Sequence, residues 1–184
     1  TIFVTYPHLD YEKKHWENDR LVLGIDEVGR GAFAGPLVVG GAIFKKCCDR
    51  KEADKIGSLG INDSKLLSAE RRQNLYKIVR DLSLFTTTVF IPVIVINKIG
   101  IGHATEVAMQ QVVHNALQFV DSFFVLTDAF EIPKLQYGSA SWRMTGKIFG
   151  QLPIIHGDQI SISIAAASII AKVERDNHMK KLAL

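Results

Sequence analysis

This chain has little cysteine, no long apolar run and no strong excess of charge, and each shortage removes a class of protein. Its two cysteines, Cys47 and Cys48, are neighbours in a polar stretch. Adjacent thiols fit no zinc-ligand spacing and read as reduced loop thiols, so the expected compartment is the cytoplasm. No apolar run approaches the roughly 18 residues that a membrane-spanning helix requires. The opening Thr1-Ile2-Phe3-Val4-Thr5 has no cationic stretch ahead of an apolar one, so no secretory leader is expected there. With 22 basic and 19 acidic residues the net charge is +3, which permits an anionic partner without demanding one. The remaining composition is ordinary for a globular domain: 184 residues, 47% hydrophobic and 22% charged, with no repeat or linker.

What is present is organised around Leu21 to Phe44. Leu21, Val22, Leu23 and Ile25 form an apolar run short enough for a buried strand. The run ends in two adjacent carboxylates, Asp26 and Glu27, and burying a bare carboxylate is costly without a partner. Gly29-Arg30-Gly31 follows, and glycine on both sides of an arginine lets another backbone approach closely. A second apolar run, Leu37 to Phe44, predicts a strand antiparallel to the first, because the connection between them is short. The plainer reading of Asp26-Glu27 is a turn, with Gly29 and Gly31 supplying positive φ.

Further along, Lys45 to Gly60 is charged and reads as a solvated loop. Asn62-Asp63-Ser64-Lys65 leads to Ser68, a predicted N-cap, and a helix whose buried stripe is Leu75, Ile78, Val79 and Leu82. Ser64 and Lys65 stand equally well as a capped loop or as groups near a substrate. Leu84 to Ile96 is rich in β-branched residues and predicts a strand, with Pro92 at its end, edge or a bulge. Lys98 to about Val120 predicts a helix whose first turn is weakened by Gly100 and Gly102. Phe123 to Thr127 is a brief apolar strand that ends at Asp128. Ala129 to Gly150 reads mostly as loop, then Pro153-Ile154-Ile155 as a short strand before His156-Gly157-Asp158. Ser161 to Leu182 predicts a helix with small residues on one side, able to lie close to a sheet.

Three acidic loci thus share one context: Asp26 with Glu27, Asp128, and Asp158 each follow a short apolar run. Strand ends pointing the same way would bring them together. Converging carboxylates repel one another unless cations neutralise them. Hard oxygen ligands suit Mg²⁺ or Mn²⁺, and such clusters host two-metal phosphoryl chemistry with ions roughly 3.5–4 Å apart. Neighbours on a strand point to opposite faces, so Asp26 is the safer central ligand and Glu27 reaches the site less directly. Arg30, Lys65, His156, Lys172 and Arg175 are basic residues near these loci, suited to phosphate, although singly each except Arg30 reads first as a surface charge.

Gly24-Ile25-Asp26-Glu27-Val28-Gly29-Arg30-Gly31 with Ala34-Gly35-Pro36 resembles the opening motif of type 2 ribonuclease H, ribonuclease HII. Asn62 to Lys65 with Leu67-Ser68, Ala104-Thr105 with Ala108-Met109, and Gly157-Asp158 followed by Ser163 to Val173 with Arg175-Asp176 are similar to its later motifs, in the same order. The resemblance implies an α/β ribonuclease H-like fold, with a mixed five-stranded sheet flanked by helices. It implies residues 1–20 as an N-terminal arm and 21–184 as the catalytic domain, lacking a C-terminal segment that carries a tyrosine beneath the junction sugar. It implies Asp26, Glu27, Asp128 and Asp158 as catalytic, metal-binding carboxylates for two Mg²⁺ or Mn²⁺ ions. Gly29, Arg30, Gly31, Ser64, Lys65, Ser168 and Lys172 would contact substrate; neither Tyr76 nor Tyr137 takes the junction role.

The implied activity is endonucleolytic cleavage of the RNA strand of RNA–DNA hybrids, and of single ribonucleotides embedded in DNA duplexes, leaving 5′-phosphate and 3′-hydroxyl ends. A monomer working in DNA replication and repair is expected. Type 3 enzymes are similar elsewhere but lack the Gly-Arg-Gly run. Two departures stand out: glycine usually follows the third acid, where this chain has Ala129 and Phe130, and lysine commonly precedes the last Gly-Asp, where it has His156. The competing expectations are a catalytically impaired nucleic-acid-binding module of the same fold, or a phosphohydrolase of small esters.

Overall fold

The computed structural model describes residues 6–46, 50–62, 64–65, 67–135, 138–139 and 147–183, with backbone alone at 50–53 and 138–139. Cys47, Cys48, Asp63 and Tyr137 lie outside the described residues, as does the Thr1–Thr5 opening.

Helix α1 (Asp10–Trp16) leads into β1 (Leu21–Val28), which pairs antiparallel with β2 (Leu37–Phe44), as the short connection predicts. Then come α2 (Arg50–Gly57), α3 (Ala69–Leu82) and β3 (Ser83–Ile91), antiparallel to β2. Helices α4 (Val93–Ile99) and α5 (Ile101–Leu117) carry the chain to β4 (Ser122–Asp128), parallel to β1. A two-residue strand, β5 (Gly138–Ser139), and β6 (Lys147–Ile154) complete the sheet before α6 (Ile162–Leu182). The order is β3-β2-β1-β4-β6-β5, a mixed sheet of five main strands with β5 as a short edge addition. Parallel strands β1, β4 and β6 lie side by side, so their carboxyl ends share one edge.

Both faces of the sheet are covered. On one, Leu23, Ile25, Val39 and Ile43 pack with Ala108, Met109, Val112 and Val113 of α5. On the other, Ala42 and Phe44 pack with Ala165, Ala166, Ile169 and Ile170 of α6 and with Leu75 and Val79 of α3. Sheets buried on both faces read as unbroken apolar runs, and β2 is buried throughout. The approach of α6 depends on glycine. A Cβ at Gly24 would stand 2.2 Å from the Ser163 carbonyl carbon, and one at Gly40 2.3 Å from the Ala167 oxygen. Small residues on α6 therefore lie directly on the strand that carries Asp26, as the alanine-rich stretch predicts. Among the described residues no helix is long and apolar enough to cross a membrane.

Several boundaries differ from the sequence reading. Lys45 to Gly60 is not all loop: residues 50–57 form α2, anchored through buried Ile56 to the α3–α6 core. The predicted strand Leu84 to Ile96 stops at Ile91. Pro92 has no N–H for a ladder, and its carbonyl accepts from Val95 and Ile96 to start α4, against the β-branched propensity of that stretch. The single helix predicted from Lys98 is two, broken where Gly100 takes φ 81°. Lys147 to Gly150, predicted as loop, belongs to β6. Ser68 caps α3 as expected, accepting from Arg71 N at 3.1 Å.

Candidate active site

The acids meet at the shared carboxyl edge of the parallel strands, the usual place for a site in such sheets. Ile25 of β1 lies opposite Thr127 of β4, so Asp26 and Asp128 stand one step further along neighbouring strands. Asp128 in turn lies opposite Ile154, the last residue of β6. From there His156, in the left-handed region at φ 55°, turns the chain into a 3₁₀ turn, Gly157–Gln159, that holds Asp158. The Gly157 N–H donates to Asp128 Oδ1 at 2.8 Å, which ties the third acid to the turn bearing the fourth.

Asp26 and Asp158 are both only 3% exposed, so neither charge is relieved by water. Burial first, then the Glu27 charge, pushes the Asp26 carboxyl well above the usual range. A Ser168 hydrogen bond offsets part of that rise, and Asp128 and Asp158 add to it. Glu27 is raised to about 7 by burial and then by Asp128, against the opposing pull of Arg30 and Lys65. These mutual effects link Asp26 with Glu27, Asp128 and Asp158, and Glu27 with Asp128.

The strand alternation anticipated for Asp26 and Glu27 holds. Asp26 shares the face of Gly24, toward α6, and its partner Ser168 is hydrogen-bonded to Ser64 at 2.9 Å, with both serines buried. Glu27 takes the opposite face, and its Oε2 is buried without a hydrogen-bond partner among the described residues. An orphaned carboxylate oxygen coupled to Asp26 and Asp128 is a donor set that fits a hard divalent cation. As they stand, no three acidic, histidine or cysteine groups among the described residues are drawn together tightly enough to form a ligand cage.

The predicted substrate residues fall into two groups. Arg30 borders the acids: its Nη1 is 3.8 Å from Glu27 Oε1, and its guanidinium carbon lies 4.1 Å from the Phe130 ring centroid. Gly29 takes φ 100°, and a Cβ there would meet Arg175 Nε at 2.6 Å. A Cβ at Gly31 would meet nothing within 4 Å among the described residues, so none of them closes that flank. Lys65 acts on Glu27 through its charge. Lys172, one helical turn past Ser168, is paired with Asp176 at 2.6 Å, which Arg72 also approaches at 3.6 Å.

Arg175 is not the surface charge that the sequence suggests. It is buried and donates to the carbonyls of Pro36 (2.9 Å) and Ala34 (2.7 Å), so it braces the Gly29–Pro36 loop from beneath. Sequence reasoning also missed Phe130 as a neighbour of Arg30. The signal was there in the departure from glycine after Asp128, but a contact spanning 100 positions has no local pattern.

A family model for Ribonuclease HII matches residues 23–184. The chain is 39% identical over 169 residues to the Ribonuclease HII of Herpetosiphon aurantiacus, covering 91% of this chain and 73% of that protein. It is 37% identical over 169 residues to that of Lactobacillus johnsonii, covering 92% of this chain but only 58% of that protein. It thus spans somewhat over half to about three-quarters of these curated relatives. Among solved structures, Bst-RNase HIII in complex with Mn²⁺ has a similar fold, with a TM-score of 0.65 at 20% identity over 89% of this chain and 54% of that one. With the profile match running from β1 to the C-terminus and identities near two-fifths over nine-tenths of its length, the chain belongs to the ribonuclease HII family.

Proposed function

We propose that this chain is a divalent-metal-dependent ribonuclease H that cuts the RNA strand of RNA–DNA hybrids, and single ribonucleotides within DNA duplexes, leaving 5′-phosphate and 3′-hydroxyl ends. The observation that carries the reading is the electrostatic coupling of Asp26, Glu27, Asp128 and Asp158 at one edge of the sheet. Family membership supports it, and the Mn²⁺ bound by the HIII neighbour supports the choice of Mg²⁺ or Mn²⁺. When bound, a pair of such ions supplies an activated water and charge stabilisation for the leaving oxygen.

The residues divide the remaining work. Asp26, Glu27, Asp128 and Asp158 would hold the ions, with Ser168 and the Gly157 N–H fixing the first and third acids. Arg30 offers a planar donor edge to a phosphate beside the acids. The open flank at Gly31 lets a sugar come close to the backbone, where the 2′-hydroxyl distinguishes RNA from DNA. Ser64 supports Asp26 through Ser168. Lys65 adds positive charge beside Glu27, and Lys172 adds it one helical turn past Ser168.

The test is cleavage of end-labelled duplexes, one an RNA–DNA hybrid and one with a single ribonucleotide, in Mn²⁺, Mg²⁺ or chelator. Metal-dependent cutting 5′ of a ribonucleotide, abolished by Asp26→Asn, is expected. Salt-sensitive duplex binding without cleavage would instead leave a binding module. Turnover of a simple phosphoester with no preference for nucleic acid would remove the ribonuclease reading altogether.

A further inference from the structure

The turn after Asp128 is built in a way that gives Phe130 a fixed position. Ala129 takes φ 57°, in the left-handed region that disfavours a side chain. The chain therefore reverses within two residues: Phe130 N donates to the Asp128 carbonyl at 2.7 Å, and the Thr127 hydroxyl donates to the Phe130 carbonyl at 2.5 Å. Thr127 is fully buried in β4, so the backbone of Phe130 is anchored to the strand that delivers an acid. The ring is partly exposed and lies against the Arg30 guanidinium at 4.1 Å, well inside the roughly 6 Å range of cation–π attraction. Arg30 also reaches Glu27 at 3.8 Å, too long for a direct hydrogen bond. Stacking uses the flat face of a guanidinium and leaves its N–H edge to donate.

We propose that Phe130 is a positioning residue that holds the Arg30 guanidinium by stacking, with its N–H edge presented to a phosphate of the nucleic-acid strand at the acid edge. The inference rests on the ribonuclease reading for its substrate and on this chain's own Thr127–Phe130 turn for its geometry. Arginine has several rotatable bonds, and a ring that stacks on it removes part of the ordering cost at binding.

Two readouts test it. Arginine-selective NMR labelling, with the Arg30 signal assigned by its loss in Arg30→Met, should show a ring-current shift that disappears in Phe130→Leu and persists in Phe130→Tyr. In Mn²⁺, Phe130→Leu should raise KM for an RNA–DNA hybrid about two- to five-fold at unchanged kcat, Phe130→Tyr should restore it, and the leucine effect should vanish in the Arg30→Met background. An absent shift, an unchanged KM, no rescue by tyrosine, or an equal leucine effect without Arg30 would each overturn the proposal. A wild-type chain that cleaves no duplex would mark a failure of the ribonuclease reading instead, and the NMR signal would still decide whether Phe130 holds Arg30.

Discussion

Glu27 carries a charge that its surroundings only partly relieve, and neutralising it should stabilise the metal-free protein. Burial and the Asp128 charge raise its carboxyl from 4.5 to about 7. That rise corresponds to a charged form disfavoured by about 3 kcal/mol in the fold. Because the folded value lies above the unfolded one, folding takes up a proton between pH 4.5 and 7. The contribution of Glu27 to stability is therefore most favourable below about 4.5, falls as pH rises through that window, and levels off above 7. Glu27→Gln removes the penalty. In chelator at pH 8 it should gain about 3 kcal/mol, or about 6–12 °C in Tm for a chain of this size. Near pH 4.5 the variant and wild type should coincide. Added Mn²⁺ should stabilise wild type more than the variant, because the ion offsets the same charge. Urea unfolding at pH 8, 6 and 4.5, with and without Mn²⁺, reads all of this. A variant advantage that does not change with pH, or a loss of stability at pH 8, would refute the electrostatic account.

Two further outcomes follow from local geometry. Arg175→Met removes charged donors from the Ala34 and Pro36 carbonyls and should cost about 2–3 kcal/mol in chemical unfolding, with faster amide exchange confined to residues 29–36. Ala129→Gly should relieve the left-handed strain at φ 57° and raise stability by up to about 1 kcal/mol in the same assay; a loss would contradict the strain assigned to that turn.

The acid edge was legible because local patterns delivered it. Apolar runs that lead into Asp26 and Asp128 mark strand ends by composition alone, Asp158 follows the last strand in a turn, and the short β1–β2 connection forced an antiparallel pair. The alanines of α6 foretold its close approach to the sheet. What stayed hidden depends on partners far along the chain. Arg175 looks like a surface cation until the loop it braces, some 140 positions earlier, is folded beside it. Phe130 looks like a departure from pattern until Arg30 is stacked on it. The ends of β3 and α5 were misjudged for a different reason: one proline and one glycine outweighed the propensity of the residues around them.

All four acids lie before residue 160, yet α6 supplies much of what disciplines them. Along this one helix, Ser161 and the backbone N–H of Ser163 grip the buried Glu12 of α1, Ser168 meets Asp26, and Arg175 secures the Arg30 loop. Four helical turns thus act as a keel joining the amino-terminal helix, the first strand and the substrate loop. A fragment ending at residue 160 would keep every candidate metal ligand and still lose the instrument that aligns them.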